Sequence, residues 1–321
     1  MAAVKGIKEL SIYETPIAVI DFETTGLTPG VDRVVEVSVY RMEPGKKPVL
    51  AFDTLVNPQR PMSATEIHGI TEDDVANAPV FSDIAGGLVD SLSGCVVSAY
   101  NVYFDIKFLA YELNQLGIPQ TPPHFCLMYM RPMLGLGKRC NLEKACEYHN
   151  VDYKAVHIAS SDAEASASLM ERYLEEMTKQ KVRTFGDLAR LKKYKFTESF
   201  VASPMNGAGG LRLTKSERFL SRSGFQSSIE INPERQALAE YWEALRMVVA
   251  DLEVTDEELA QMLQLRKEIH LPKEKIRMLH AKAFASVISQ FIDDKWLDDK
   301  EVLKLRRLKR CLSRLGWAPG D

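Results

Sequence analysis

Residues 17–26 read Ile17-Ala18-Val19-Ile20-Asp21-Phe22-Glu23-Thr24-Thr25-Gly26. Four apolar residues run into an acid, an aromatic, a second acid, two hydroxyls and a glycine. An apolar run without alternation is the pattern of a central strand covered on both faces. Side chains of a strand alternate, so Asp21 and Glu23 share a face. Two carboxylates held together at the end of a buried strand repel each other unless a cation sits between them. A metal site is one reading. A strand that ends in a polar, N-capping loop is the other, and this stretch alone supports both equally.

Working outward, the whole chain of 321 residues has the length of about two domains. Its hydrophobic content of 45% and charged content of 26% are those of a globular protein with a real core. The net charge of −3 means that any nucleic-acid partner is held by local patches and bound cations, not by the global field. Cys95, Cys126, Cys140, Cys146 and Cys311 form no C-x-x-C pair, which suits reduced thiols. The first residues, MAAVKGIKELSIYETP, lack the apolar core of a signal peptide, and no run approaches the length of a membrane span. The expected setting is soluble and cytoplasmic.

Beyond the opening strand, Val35, Val37 and Val39 alternate with Glu36, Ser38 and Tyr40, the pattern of a half-buried strand. Glu43-Pro44-Gly45 is a turn and Val49–Val56 a third strand. Phe81, Ile84, Leu88 and Leu92 then fall at helical spacing. Cys95–Ala99 is a short strand, and Phe104, Phe108, Leu109, Leu113 and Leu116 mark a helix that Gly117 and Pro119 end. Leu142, Ala145, Cys146 and His149 mark another, with Asn141 as N-cap. Ala163–Met177 is a further helix, and Ser161-Asp162-Ala163-Glu164 fits a capping box at its start. Strands followed by a helix, a strand and more helices predict an α/β layer fold with a mixed sheet.

Two further acids sit at helix starts, Asp105 and Asp162, where unpaired N–H groups favour carboxylates. His157 lies in the loop five residues before Asp162. Singly, each is an ordinary helix-start or loop residue. Together, Asp21-x-Glu23, Asn101-x-x-Phe104-Asp105 and His157-x-Ala159-x-x-Asp162 resemble the three motifs of the DEDD exonuclease superfamily in its histidine variant, DEDDh. This is the family of the proofreading epsilon subunit of bacterial DNA polymerase III. Ser63-Ala64-Thr65-Glu66-Ile67-His68-Gly69-Ile70-Thr71 is similar to the family's segment ending in His-Gly-Ile-Thr. The resemblance covers about residues 15–178. It departs at Tyr100, where members often carry a histidine before the asparagine of the second motif.

The resemblance implies a ribonuclease H-like fold with a mixed five-stranded sheet. It implies a 3′→5′ exonuclease that releases nucleoside monophosphates from single-stranded ends. Phosphodiester hydrolysis needs charge stabilisation, a nucleophile from water and help for the leaving oxygen, which two hard cations about 4 Å apart provide. Mg²⁺ or Mn²⁺ suits oxygen ligands. By resemblance, Asp21, Glu23, Asp105 and Asp162 are the ligands of two such ions, and His157 is the general base. Thr24, Thr25, Leu27, Ile67, His68, Asn101 and Phe104 are the expected substrate contacts, although Leu27, Ile67 and Phe104 fit core packing equally well. Cys140, Cys146 and His149 are not expected to bind zinc, because no fourth ligand is evident and two of them fall on an apolar helix face.

The organisation expected is an exonuclease domain over 1–180, a basic, Gly/Ser-containing linker over 181–232 and an all-α helical bundle over 233–321. Lys192-Lys193-Tyr194-Lys195, Arg212, Lys215, Arg218 and Arg222 make the linker either a solvated connector or a basic arm that guides the substrate. Leu238, Tyr241, Trp242, Leu245, Val248, Val249 and Leu252 open the bundle with a strong helical stripe. An echo relates Asp251–Leu259 to Asp294–Val302, with Thr255 and Asp298 capping helices whose third residue is Glu. The bundle resembles tellurite-resistance (TerB-like) helical domains, which implies at most a binding or scaffolding role, and a polymerase or repair protein is the partner expected for it. The expected substrate is DNA. Alternatives are an exoribonuclease that trims RNA 3′ ends and a non-catalytic adaptor that binds nucleic acid or a partner.

Overall fold

The computed structural model describes residues 6–153, 157–191, 204–205, 207, 221–222, 232–251, 255–291 and 298–317. Five strands form one sheet: β1 (Ile17–Thr24), β2 (Val34–Met42), β3 (Val49–Leu55), β4 (Val96–Ala99) and β5 (His124–Cys126), in the order β3-β2-β1-β4-β5. β2 and β3 pair antiparallel, while β4 pairs parallel with both β1 and β5, so the sheet is mixed as expected. The opening stretch is its middle strand. Ala18, Val19, Ile20 and Phe22 are fully buried, as a strand covered on both faces requires.

The helices of this part are α1 (Thr65–His68), α2 (Glu72–Val75), α3 (Phe81–Leu92), α4 (Val102–Gln115), α5 (Leu127–Met133), α6 (Leu142–Tyr148), α7 (Ala159–Lys179) and α8 (Phe185–Arg190). The Asn141 side chain caps α6 as expected, accepting from Lys144 N–H at 3.0 Å.

Two local expectations are corrected. β2 is not half-buried: Glu36 and Ser38 are as completely buried as Val35, Val37 and Val39. Both α3 and α7 pack against β2, so its polar residues face protein and not water. The capping box at Ser161 does not form either. α7 begins two residues earlier, at Ala159, and its N-cap Ile158 has no polar side chain to offer. Glu36 takes that part from the sheet, its Oε2 accepting from Ala159 N–H at 3.1 Å. A tertiary carboxylate here satisfies a helix-start donor that local capping normally serves.

Four more helices follow, α9 (Pro233–Asp251), α10 (Asp256–Glu268), α11 (Lys273–Phe291) and α12 (Asp299–Arg314). Leu245, Leu279, Ala283, Val287, Leu308, Leu312 and Leu315 are fully buried among them. Both expected capping boxes form, Thr255 with Glu258 and Asp298 with Glu301. A buried Tyr241 hydroxyl lies 2.7 Å from His280 Nε2, and burial pushes the His280 imidazole down to about 4. No described helix is long and apolar enough to cross a membrane.

By compactness the chain divides into two units. The first comprises Met1–Glu23, Val34–Pro61 and Ile70–Ile229; the second comprises Thr24–Arg33, Met62–Gly69 and Glu230–Asp321. The second unit thus takes up two segments from the N-terminal half as well as the four helices. Of the basic stretch, Lys192–Lys195, Arg212, Lys215 and Arg218 lie outside the described residues, as do the first part of the 294–302 echo and Leu252. Arg222 is described and is not solvated: it is half-buried, with Nε 3.5 Å from Glu36 Oε1.

Candidate active site

The side chains that the sequence singles out come from three kinds of element. Asp21 and Glu23 sit at the end of β1, fixed by the sheet. Asp105 is in the first turn of α4, and Asp162 in the first turn of α7. His157 is in the loop before α7, with a left-handed backbone at φ 50°. Few non-glycine residues adopt that region, and those that do gather at functional sites.

Three of the five converge. Glu23, His157 and Asp162 each offer a ligand atom, and these atoms lie within 4.8 Å of one another. All three are buried, at 6%, 8% and 8% exposure. Among the described residues this is the group suited to holding a metal ion, and Cys140, Cys146 and His149 form no such group. His149 instead faces Arg131, with Nε2 3.0 Å from Nη1, and Tyr100 hydrogen-bonds the Cys140 carbonyl at 2.6 Å.

Asp105 is tied to the same strand end by a different bond. Its Oδ1 accepts from Phe22 N–H at 3.0 Å, and Phe22 is the residue between Asp21 and Glu23. The α4 carboxylate is therefore anchored to the backbone that carries the pair. Asp162 is anchored from another side: the Tyr153 hydroxyl donates to its Oδ1 at 2.7 Å. Burial, then the Asp162 carboxylate, pushes the Tyr153 hydroxyl well above the usual phenol range, and Asp21 adds to the same effect. Tyr153 stays protonated and remains a donor.

The donor set tests the fit to a cation. Buried carboxylates gathered with a histidine are costly together unless positive charge offsets them. Oxygen ligands with one imidazole suit a hard or borderline divalent ion. The residues present fit a divalent metal.

The model of the exonuclease family named RNase T matches residues 18–170, which span β1 to α7 and contain all five side chains. Residues 18–170 are thus similar to that exonuclease family over just under half of the chain. The chain is also 29% identical over 188 residues to a DNA polymerase III PolC-type protein of Caldanaerobacter subterraneus, covering 58% of this chain and 13% of the relative. It is 31% identical over 187 residues to the PolC-type protein of Streptococcus pneumoniae, covering 57% and 13%. A DNA polymerase III subunit epsilon-like protein of Rhodobacter capsulatus is 32% identical over 190 residues, covering 56% of this chain and 27% of the relative. The chain thus spans about an eighth to a quarter of the length of these relatives.

The expected substrate contacts of the exonuclease domain fall in two groups. Asn101 and Phe104 belong to the first unit, and Thr24, Thr25, Leu27, Ile67 and His68 to the second. Asn101 is 5% exposed, and among the described residues neither its Oδ1 nor its Nδ2 has a hydrogen-bond partner. A buried amide left unpaired is costly unless something else comes to bind it.

The loop after Glu23 is built around Asp32. Its carboxylate accepts from Thr28 N–H at 3.0 Å and from the Thr25 hydroxyl at 3.1 Å. A Cβ at Gly26 would displace that carboxylate from its place in the loop. The Thr24 hydroxyl donates to the Gly26 carbonyl at 2.5 Å, and the Ser63 hydroxyl to the Thr25 carbonyl at 2.5 Å.

Three residues that shape this region carried no signal in the sequence reading. Tyr153 stands nine residues before its partner in an aperiodic loop. Asp32 reads as an ordinary turn acid. Glu36 looks like the polar half of an alternating strand.

Proposed function

We propose that the exonuclease domain is a DEDDh-type, divalent-metal-dependent 3′→5′ exonuclease acting on single-stranded ends, with DNA as its favoured substrate. The convergence of Glu23, His157 and Asp162 within 4.8 Å carries this reading. Asp21, Glu23, Asp105 and Asp162 would hold two Mg²⁺ or Mn²⁺ ions. Bound there, such ions neutralise phosphoryl charge and lower the pKa of water.

The side chains of this chain do the rest. His157 accepts the proton of the attacking water at a ring nitrogen. Its place in a loop separates it from the rigid strand, so it can adjust to the substrate. Tyr153 and the Phe22 amide orient Asp162 and Asp105 by hydrogen bonds to one oxygen of each carboxylate. The unpaired Asn101 amide supports its assignment to substrate binding. Recognition through phosphate, stacking and shape leaves little room for sequence preference.

Direction and substrate are read in one assay. Single strands of DNA and RNA labelled at the 5′ end are incubated with Mg²⁺ or Mn²⁺ and either the wild-type protein or Asp21→Ala. The expected result is a ladder that shortens from the 3′ end, faster on DNA, and is lost in Asp21→Ala. No metal-dependent product from either substrate would leave the adaptor reading in its place. Faster loss of RNA would favour the exoribonuclease.

Tyr153→Phe removes one hydrogen bond and little volume. It is expected to weaken Mn²⁺ binding by about 10- to 100-fold, as loss of a ligand's outer partner typically does. Calorimetric titration of the ion checks this, and unchanged binding would take Tyr153 out of the site.

A further inference from the structure

The second unit joins helices from the C-terminal part of the chain to the two segments Thr24–Arg33 and Met62–Gly69. Thr24–Arg33 begins at the peptide bond after Glu23, one of the three convergent side chains. What holds this loop therefore bears on the end of β1.

Within the second unit each segment is bonded to the helices. The Thr28 hydroxyl of the loop donates to the Ser286 carbonyl of α11 at 2.9 Å and touches the Ser286 hydroxyl, with both residues buried. Glu66 of α1 pairs with Lys282 of α11 at 2.7 Å, each side chain about one-third exposed. Arg235 of α9 donates Nε–H to the Ile67 carbonyl at 3.1 Å. Its guanidinium also fills the space over Gly69, where a Cβ would lie 2.4 Å away and where φ is +71°. Ser286 and Lys282 are four residues apart, one helical turn, so a single face of α11 holds both segments. The segments are also bonded to each other, through Ser63 and the Thr25 carbonyl.

We infer that Lys282, Arg235 and Ser286 are positioning residues: the helices brace the loop that follows Glu23, and so set the seat of the nucleotide being removed. This rests on the function proposed above. The chemistry supports a built brace and not an incidental contact. A buried hydroxyl pair, an ion pair and a backbone hydrogen bond act on two segments that are 38 residues apart at Thr28 and Glu66. Each is directional, so together they define the loop's conformation where apolar packing alone would leave it adaptable.

A charge swap on the full chain tests the brace. Lys282→Glu, Glu66→Lys and the double variant are compared with wild type by steady-state kinetics on a 5′-labelled single strand. Each single reversal is expected to lower kcat/KM about tenfold, mostly through KM, and the swap to restore it to within about twofold. Hydrogen exchange of the intact proteins gives a readout independent of activity. The Thr25 and Asp32 amides bond to the Arg33 and Thr28 carbonyls, and they should lose protection in the single variants and regain it in the swap. If wild type degrades nothing, the exonuclease reading fails and the exchange data alone decide the brace. Unchanged protection in both single variants would overturn it, as would losses that the swap does not restore. If either single variant does not fold, Lys282→Gln and Glu66→Gln replace the reversals, with the same direction of change expected.

Discussion

His157→Ala is expected to lower kcat on single-stranded DNA by about 10²- to 10⁴-fold, the usual contribution of a positioned general base. KM should change little, because the imidazole acts on the attacking water and not on the bound strand. Metal binding gives a second discrimination. His157 lies within 4.8 Å of both Glu23 and Asp162, so the same ring atoms are also placed to be ligands. A base leaves Mn²⁺ affinity nearly intact on removal, whereas a ligand does not. Loss of activity with unchanged affinity supports the base. Turnover within threefold of wild type would exclude it.

Glu36→Gln is expected to stabilise the protein above neutral pH. Burial raises the Glu36 carboxyl from 4.5 to about 7, although Arg222 and the Ala159 N–H both pull it down. The Arg222 contact, at 3.5 Å, is too long for a good hydrogen bond, so the ion pair only partly offsets desolvation. An acid with a raised folded pKa binds its proton more tightly in the native state. The Glu36 contribution to stability is therefore highest below the unfolded pKa, falls as pH rises from about 4.5 to 7, and is flat above that. The drop is on the order of 3 kcal/mol for a shift of this size. Glutamine retains an acceptor for Ala159 and does not ionise. Urea unfolding at pH 5, 6, 7 and 8 should show wild type losing stability relative to the variant as pH rises, while the opposite contribution of the buried His280 is common to both. Equal slopes would place the pH dependence elsewhere.

The placement of Glu36 shows where local reading stops. Alternation along Val34–Tyr40 identifies a strand, since period two is a property of the backbone. It does not identify what covers the second face. That depends on α7, whose start lies more than a hundred residues later. The same is true of the helix start. Ser161 and Glu164 satisfy a capping pattern, but the Ala159 amide finds a carboxylate on β2, and the helix begins there.

Tyr153 and Asn101 make the point for the site. Asn101 was legible because it stands in a recognised motif. Tyr153 was not, because its partner is reached by the path of a loop and not by helical or strand spacing. Its hydrogen bond to Asp162 joins residue 153 to the first turn of α7, a contact that no periodic spacing encodes.

The sequence by itself determined the central strand, the mixed α/β architecture, the helical second half and the five candidate side chains. The elements follow from periodicity and capping chemistry, which are local, and the five side chains from the resemblance to the DEDDh motifs. Tertiary structure alone decided that Glu23, His157 and Asp162 meet, that Glu36 is interior, and that Thr24–Arg33 and Met62–Gly69 join the helices of the second unit. Those outcomes depend on which distant surfaces exclude water from one another, and no short window of sequence contains both surfaces.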